Sequence, residues 1–171
     1  MNLEEAIKTA LEYETRVRDL YVRAMGRVEN PDGKKVLRTL AREEQGHLDY
    51  LQSRLDHWRE TGSLDVPALD TAVPSREKID EGIRKLSRGL HGKKDPSADE
   101  LAVLQRALEA EKETSDFYRR MVDELHEEGR TLFARFLEIE EGHLAIVQAE
   151  INLLSGNGAW FDFSEINLEM G

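Results

Sequence analysis

Apolar residues recur along this chain at steps of three and four, the interval that stacks side chains on one face of an α-helix. Leu3, Ala6, Ile7, Ala10, Leu11, Val17, Leu20, Tyr21, Ala24, Met25 and Val28 form the first stripe. It predicts a helix from about Leu3 to about Glu29, with Asn2 as its cap and Glu5 completing an approximate capping box. Asn30-Pro31-Asp32-Gly33 then has the chemistry of a turn. A second stripe, Leu37, Leu40, Ala41, Leu48, Leu51, Leu55 and Trp58, predicts a helix to about Glu60 with Gly62 as its C-terminal cap.

Residues 62–96 change character. Pro67, Pro74 and Pro96 fall here, yet Ile79, Ile83, Leu86 and Leu90 keep helical spacing over Ser75–Leu90. The pattern predicts a short helix inside a long connector, one that can cross the length of a bundle or carry the second half onto a neighbouring subunit. Ser97-Ala98-Asp99-Glu100 is a capping box for a third long helix, with stripe Leu101, Leu104, Leu108, Ser115, Tyr118, Val122 and Leu125. That helix is expected to reach about Glu128 and stop at Gly129. A fourth, from about Thr131 to Leu154, carries Leu132, Phe133, Phe136, Leu137, Leu144, Val147 and Ile151 and stops at Ser155-Gly156-Asn157-Gly158. Trp160, Phe161 and Phe163 in the tail are expected to dock, as packing or as a subunit contact. The chain thus reads as one all-α domain: a hairpin over 1–61, a crossover over 62–96, a hairpin over 97–155 and an aromatic tail over 156–171.

Six polar residues interrupt the stripes on their buried side. Glu14 stands between Leu11 and Val17, and Glu111 between Leu108 and Ser115. Glu44-Gln45-Gly46-His47 and Glu140-Glu141-Gly142-His143 each place a carboxylate and an imidazole on one apolar face, because positions three apart on a helix point the same way. The interruptions repeat between the halves. Ala10-Leu11-Glu12-Tyr13-Glu14 aligns with Ala107-Leu108-Glu109-Ala110-Glu111, and Tyr21 and Tyr118 each follow the inward Glu by seven residues. At about 1.5 Å rise per residue, all six side chains fall at one level, roughly 20–25 Å from the hairpin turns.

Charge decides what such a spot can be. Buried carboxylates are costly unless paired or bound to metal, and four together cannot all stay ionised. Two divalent cations would neutralise them. Glutamate oxygens and imidazole nitrogens suit iron or manganese better than copper(I). The chain has no cysteine, which excludes disulfides, thiolate metal sites and iron–sulfur ligation. A net charge of −11 argues against nonspecific binding to nucleic acid or anionic membranes. No run of about 18 apolar residues predicts a membrane span. The opening Met1-Asn2-Leu3-Glu4-Glu5 lacks a basic stretch followed by an apolar one, so no secretion signal and a cytoplasmic location are expected. Glu43 and Glu141 are expected to face solvent, as are His57, His91 and His126.

One Glu from each of two helices, with Glu-x-x-His from each of two others, is the known pattern of carboxylate di-metal bundles. On Glu14, Glu44-x-x-His47, Glu111 and Glu140-x-x-His143, supported by Tyr21 and Tyr118, the chain resembles the ferritin-like superfamily. Within it, the chain looks like a rubrerythrin-type diiron domain lacking the rubredoxin module. The tail Gly158-Ala159-Trp160-Phe161-Asp162-Phe163 also resembles the end of stand-alone rubrerythrin-like proteins.

The resemblance implies a ferritin-like four-helix bundle holding two iron ions, with manganese or a mixed pair as alternatives. Glu44 and Glu140 would bridge the ions, Glu14 and Glu111 would be terminal, and His47 and His143 would supply one ligand to each. Tyr21 and Tyr118 read as core residues with hydrogen-bonded hydroxyls and are the candidate catalytic side chains beside the ligands. The implied activity is that of an oxidoreductase whose reduced centre reacts with peroxide or oxygen. Iron storage and oxygenation of an organic substrate are the alternatives. Rubrerythrin peroxidases carry a further Glu three residues after the third-helix Glu, where this chain has Thr114, so the ligand set is closer to that of bacterioferritin. Without rubredoxin's cysteines, electrons would come from a separate donor protein. A homodimer is expected, with exchange of hairpins between subunits permitted by the long connector.

Overall fold

In the computed structural model, which describes residues 1–86 and 98–164, five helices follow one another: α1 (Leu3–Met25), α2 (Pro31–Thr61), α3 (Arg76–Leu86), α4 (Ala98–Glu124) and α5 (Glu127–Asn157). No strand occurs among the described residues, and the protein is all-α as its periodicity predicts. α1 lies along α2, α4 lies along α5, α1 faces α4, and α3 rests on α5. Leu90, His91, Pro96 and Ser97, on which parts of the connector and third-helix predictions rest, lie outside the described residues.

The first helix begins as its sequence dictates. Asn2 accepts from Glu5 N–H at 2.9 Å, and the Glu5 carboxylate accepts from Asn2 N–H at 3.1 Å. It ends at Met25, short of the expected Glu29, because Gly26 and Arg27 close a tighter turn by donating to Arg23 and Ala24 carbonyls. Asn30 to Gly33 is not a free turn but the start of α2. The Asn30 side chain accepts from the Asp32 and Gly33 N–H groups, and Pro31 takes the first helical position, where a missing N–H costs nothing. Gly62, at φ 75°, closes α2 in the left-handed conformation a glycine adopts without strain.

The expected stop at Gly129 is corrected. α4 ends at Glu124, α5 starts at Glu127, and Gly129 lies buried inside α5. A Cβ on Gly129 would sit 3.2 Å from a Leu3 methyl, so this glycine permits close packing rather than ending a helix. Arg130 supplies the stop instead. Its Nε donates to the carbonyls of Val122 (3.0 Å) and Leu125 (3.2 Å), two of the acceptors left open at the end of α4.

The core is in two parts. One apolar cluster gathers Val17, Tyr21, Leu37, Leu40, Leu104, Ile146 and Val147, and the other Ile7, Ala10, Leu51, Leu55, Phe117, Tyr118, Phe133 and Phe136. In sequence, residues 14, 44–47, 111 and 140–143 fall between the two sets on every long helix. The aromatic tail joins the first cluster, with Trp160, Phe161 and Phe163 all buried within their own chain. A Cβ on Gly33 would lie 2.7 Å from the Trp160 ring, so α2 offers its glycine as the seat for that ring. The tail is also tied by Phe161 N–H donating to Glu150 Oε2 (3.1 Å) and by Lys35 pairing with Asp162 at 2.6 Å.

The connector crosses the α2 and α5 faces under side-chain control. Arg54 donates to the Leu64 and Asp65 carbonyls, Tyr50 to the Pro67 carbonyl and Arg135 twice to the Leu69 carbonyl. No described helix is long and apolar enough to cross a membrane.

Candidate metal centre

The six predicted side chains meet within one chain. Glu14 comes from α1, Glu44 and His47 from α2, Glu111 from α4, and Glu140 and His143 from α5; none is more than 1 % exposed. They form two sets of four, Glu14, Glu44, His47 and Glu140 on one side and Glu44, Glu111, Glu140 and His143 on the other. In each set the potential donor atoms lie within 4.8 Å of one another. Glu44 and Glu140 belong to both sets.

The imidazoles face the carboxyls through Nδ1. His47 Nδ1 lies 3.5 Å from Glu14 and Glu44 oxygens and 3.9 Å from Glu140; His143 Nδ1 lies 2.9 Å from Glu44 and 3.4 Å from Glu111. The two rings stack at 5.4 Å. Each tyrosine reaches across to the other hairpin: Tyr21 donates to Glu111 Oε1 at 2.6 Å, and Tyr118 donates to Glu14 Oε1. Both hydroxyls are hydrogen-bonded core groups, as the sequence reading expects.

Buried polar atoms normally find partners. Here Glu14 Oε2, Glu44 Oε2, Glu111 Oε2, both oxygens of Glu140 and both nitrogens of His47 have none. The carboxyl oxygens and His47 Nδ1 are the donor atoms a pair of divalent cations would need, and hard oxygen with borderline nitrogen is the donor set such ions prefer. The residues fit a two-ion centre.

The titration of the six sorts them by neighbour. Burial pushes Glu44 up to about 8, with the charges of Glu14 and Glu111 adding to it. Burial and the Glu111, Glu14 and Glu44 charges push Glu140 well above the carboxylate range. Burial acts on Glu14 too, but its hydrogen bond to Glu44 and the His47 charge outweigh it and hold Glu14 at about 2. Glu111 is likewise held below its usual value against burial, chiefly by Glu140 and His143. Burial opposes charge on His47, yet Glu14 pushes it up to about 10; His143 is raised in the same sense by Glu111, Glu43 and Glu44. The shifts thus set a carboxyl that favours its charged form beside one that favours its neutral form, with an imidazole that favours its charged form next to them.

Glu43 corrects the sequence reading. Its side chain is 10 % exposed rather than facing solvent, and lies 3.3 Å from His143 Nε2 and 3.8 Å from His47 Nε2. Burial raises it, but contacts with His143, Ala72 N–H and Thr71 outweigh that and bring it to about 2. The available signal was its spacing, four residues before His47. Its burial depends on the connector, which no local pattern locates. A pocket of about 320 Å³ beside the connector reaches Glu43 and His47 from outside.

The other expectations divide. Glu141 and His126 are exposed. His57 is half-buried, its Nε2 2.7 Å from Asp65 Oδ2. Thr114 is buried and donates to the Ala110 carbonyl of its own helix at 2.8 Å, so it adds no donor to the centre. Glu150 was not singled out by sequence. It is fully buried ten residues beyond Glu140, and burial, with nearby Asp162 and Asp32, keeps its carboxyl far above the usual range.

Compared with known proteins, the chain matches no family model, no curated protein and no solved structure.

Proposed function

We propose that this protein is a ferritin-like four-helix bundle of the rubrerythrin type, holding two iron ions and working as an oxidoreductase on peroxide or oxygen. The observation that carries the reading is the pair of four-residue sets sharing Glu44 and Glu140. When bound, a ferrous pair would supply the two electrons that, with two protons, reduce hydrogen peroxide to two waters. Glu44 and Glu140, common to both sets, would hold the two ions as neighbours, Glu14 and Glu111 would each serve one ion, and His47 and His143 would give one nitrogen to each. Tyr21 and Tyr118 orient the outer carboxylates by donating to one oxygen and leaving the other free. The apolar clusters above and below exclude bulk water, which strengthens every charge interaction inside. Thr114 offers no fifth carboxylate, so the reading is of a fixed ligand set rather than one that exchanges.

Electrons come from a separate donor protein in this proposal, since the chain has no cysteine for a redox module of its own. A homodimer remains part of it, formed through a surface other than the tail, whose three aromatics are used in the chain's own core.

Anaerobic iron reconstitution tests the reading. The wild type is expected to bind close to two ions per chain, and Glu44→Ala or Glu140→Ala to lose most of that. Stopped-flow mixing of the reduced protein with peroxide, and separately with oxygen, then identifies the oxidant. Stray binding alone in the wild type refutes the proposal, and sedimentation of a large closed shell transfers it to iron storage.

A further inference from the structure

The two histidines turn Nδ1 toward the four carboxyls, so Nε2 of each faces away from them. On that far side both meet one carboxylate oxygen. Glu43 Oε2 lies 3.3 Å from His143 Nε2 and 3.8 Å from His47 Nε2. Glu43 itself is held from the connector, by the Thr71 hydroxyl at 2.7 Å and by the Ala72 N–H. The corresponding position on α5, just before Glu140, is Ile139, which is apolar and buried. A single acid therefore lies beside both rings, hydrogen-bonded to His143 and a few tenths of an ångström beyond hydrogen-bonding distance of His47, and the repeat is broken at this point.

We propose that Glu43 is a positioning residue that fixes His47 and His143 together as ligands through Nδ1; the inference rests on the two-ion reading above. A neutral imidazole carries one N–H, and the hydrogen bond made by one nitrogen decides which nitrogen keeps it. A carboxylate at Nε2 holds the proton there, leaves the Nδ1 lone pair for the cation, and makes that nitrogen a better donor. Because the same oxygen faces both rings, its loss reaches both ions at once. Thr71 and Ala72 keep it from swinging out into the adjoining pocket, so the connector takes part in the centre without contributing a ligand.

The competing role for Glu43 is that it only anchors the connector, and Thr71→Val separates the two. That substitution removes one connector bond and leaves the acid beside the rings. Glu43→Gln keeps the size and an acceptor for Ala72 but removes the charge. With cobalt(II) as the probe, followed by calorimetry and visible absorption, Glu43→Gln is expected to weaken both ions by about 10–100-fold. Thr71→Val is expected to change affinity by less than about threefold, while lowering the melting temperature as much as Glu43→Gln does. In zinc(II)-loaded wild type, nitrogen NMR is expected to show both rings protonated on Nε2.

A folded Glu43→Gln protein with wild-type cobalt affinity overturns the proposal, as do zinc-loaded rings protonated on Nδ1. If Glu43→Gln does not fold, the nitrogen spectrum of the wild type decides. A wild type that binds neither cobalt nor zinc refutes the two-ion reading itself, and this inference falls with it; failure confined to Glu43→Gln leaves that reading standing.

Discussion

Four carboxyls and two imidazoles share one buried volume, and in the absence of metal they hold it by keeping protons. Glu44 and Glu140 are raised, His47 and His143 are raised, and Glu14 and Glu111 are lowered. The shifts favour the charged form of Glu14, Glu111 and both imidazoles and the neutral form of Glu44 and Glu140. Metal ligands must be deprotonated, so in the proposed two-ion form loading would displace protons from the raised groups of this cluster. A net release of protons is expected at pH 7, read with an indicator in weak buffer. Above pH 8, where Glu44 is already ionised, its share disappears. Release near zero at pH 7 would contradict the assigned protonation. The tyrosines make a separate prediction. Tyr118→Phe removes the donor to Glu14 and leaves a buried charged oxygen without a partner, which costs about 1–3 kcal/mol. Urea unfolding of the metal-free protein measures it, and a neutral result would mean that Glu14 finds another donor.

Among the elements, the two Glu-x-Gly-His segments look alike in sequence and differ in what covers them. A Cβ on Gly46 would meet nothing within 4 Å, whereas one on Gly142 would lie 3.3 Å from the Pro74 carbonyl of the connector. Gly46→Ala is therefore expected to stabilise by about 0.5–1 kcal/mol, the usual gain of replacing a helical glycine. Gly142→Ala is expected to lose that gain, because the connector must shift. Guanidinium unfolding of the two variants checks the contrast, and equal effects would show that the connector does not press on α5. The break between α4 and α5 carries a related lesson. Gly129 reads as a stop, yet Arg130 capping the Val122 and Leu125 carbonyls ends α4 earlier and frees Gly129 for packing against Leu3.

For the molecule as a whole, the centre links stability to pH. Glu44 is raised from 4.5 to about 8 and His47 from 6.5 to about 10, so what they contribute is present at low pH and lost as pH rises through those values. Glu14 and Glu43 are lowered from 4.5 to about 2, so their contribution is present above 4.5 and lost on strong acidification. The metal-free protein is therefore expected to melt highest at about pH 4.5–5, where the lowered carboxyls are already ionised in the unfolded chain and the raised ones begin to be, and progressively lower toward pH 9. In the proposed two-ion form, metal would remove this slope on the alkaline side by neutralising the same carboxylates, so a loaded form should melt well above the metal-free form at pH 7. Scanning calorimetry across this range checks both, and coincident melting at pH 7 would argue against a buried carboxylate cluster.

The sequence by itself determined that the chain is built of long helices, though not where each one ends, and it marked six members of the site. A helix repeats every 3.6 residues, so a carboxylate or imidazole on the apolar stripe is visible wherever it sits. Glu14, Glu44, His47, Glu111, Glu140 and His143 are such misfits, and the repeat between halves sets them at one level. Aromatic content likewise told that Trp160, Phe161 and Phe163 would dock. Only the tertiary structure decided where, seating Trp160 over Gly33 and tying Phe161 to a buried Glu150. It also decided that Glu43 belongs to the site. Glu43 stands one position before Glu44, off the stripe, and it is buried because Thr71 and Ala72 are laid across it by a connector of no regular period. Periodicity is local and can be read from a few turns of chain. The course of a connector is set by many separate contacts between residues distant in sequence, and those leave no mark until the chain is folded.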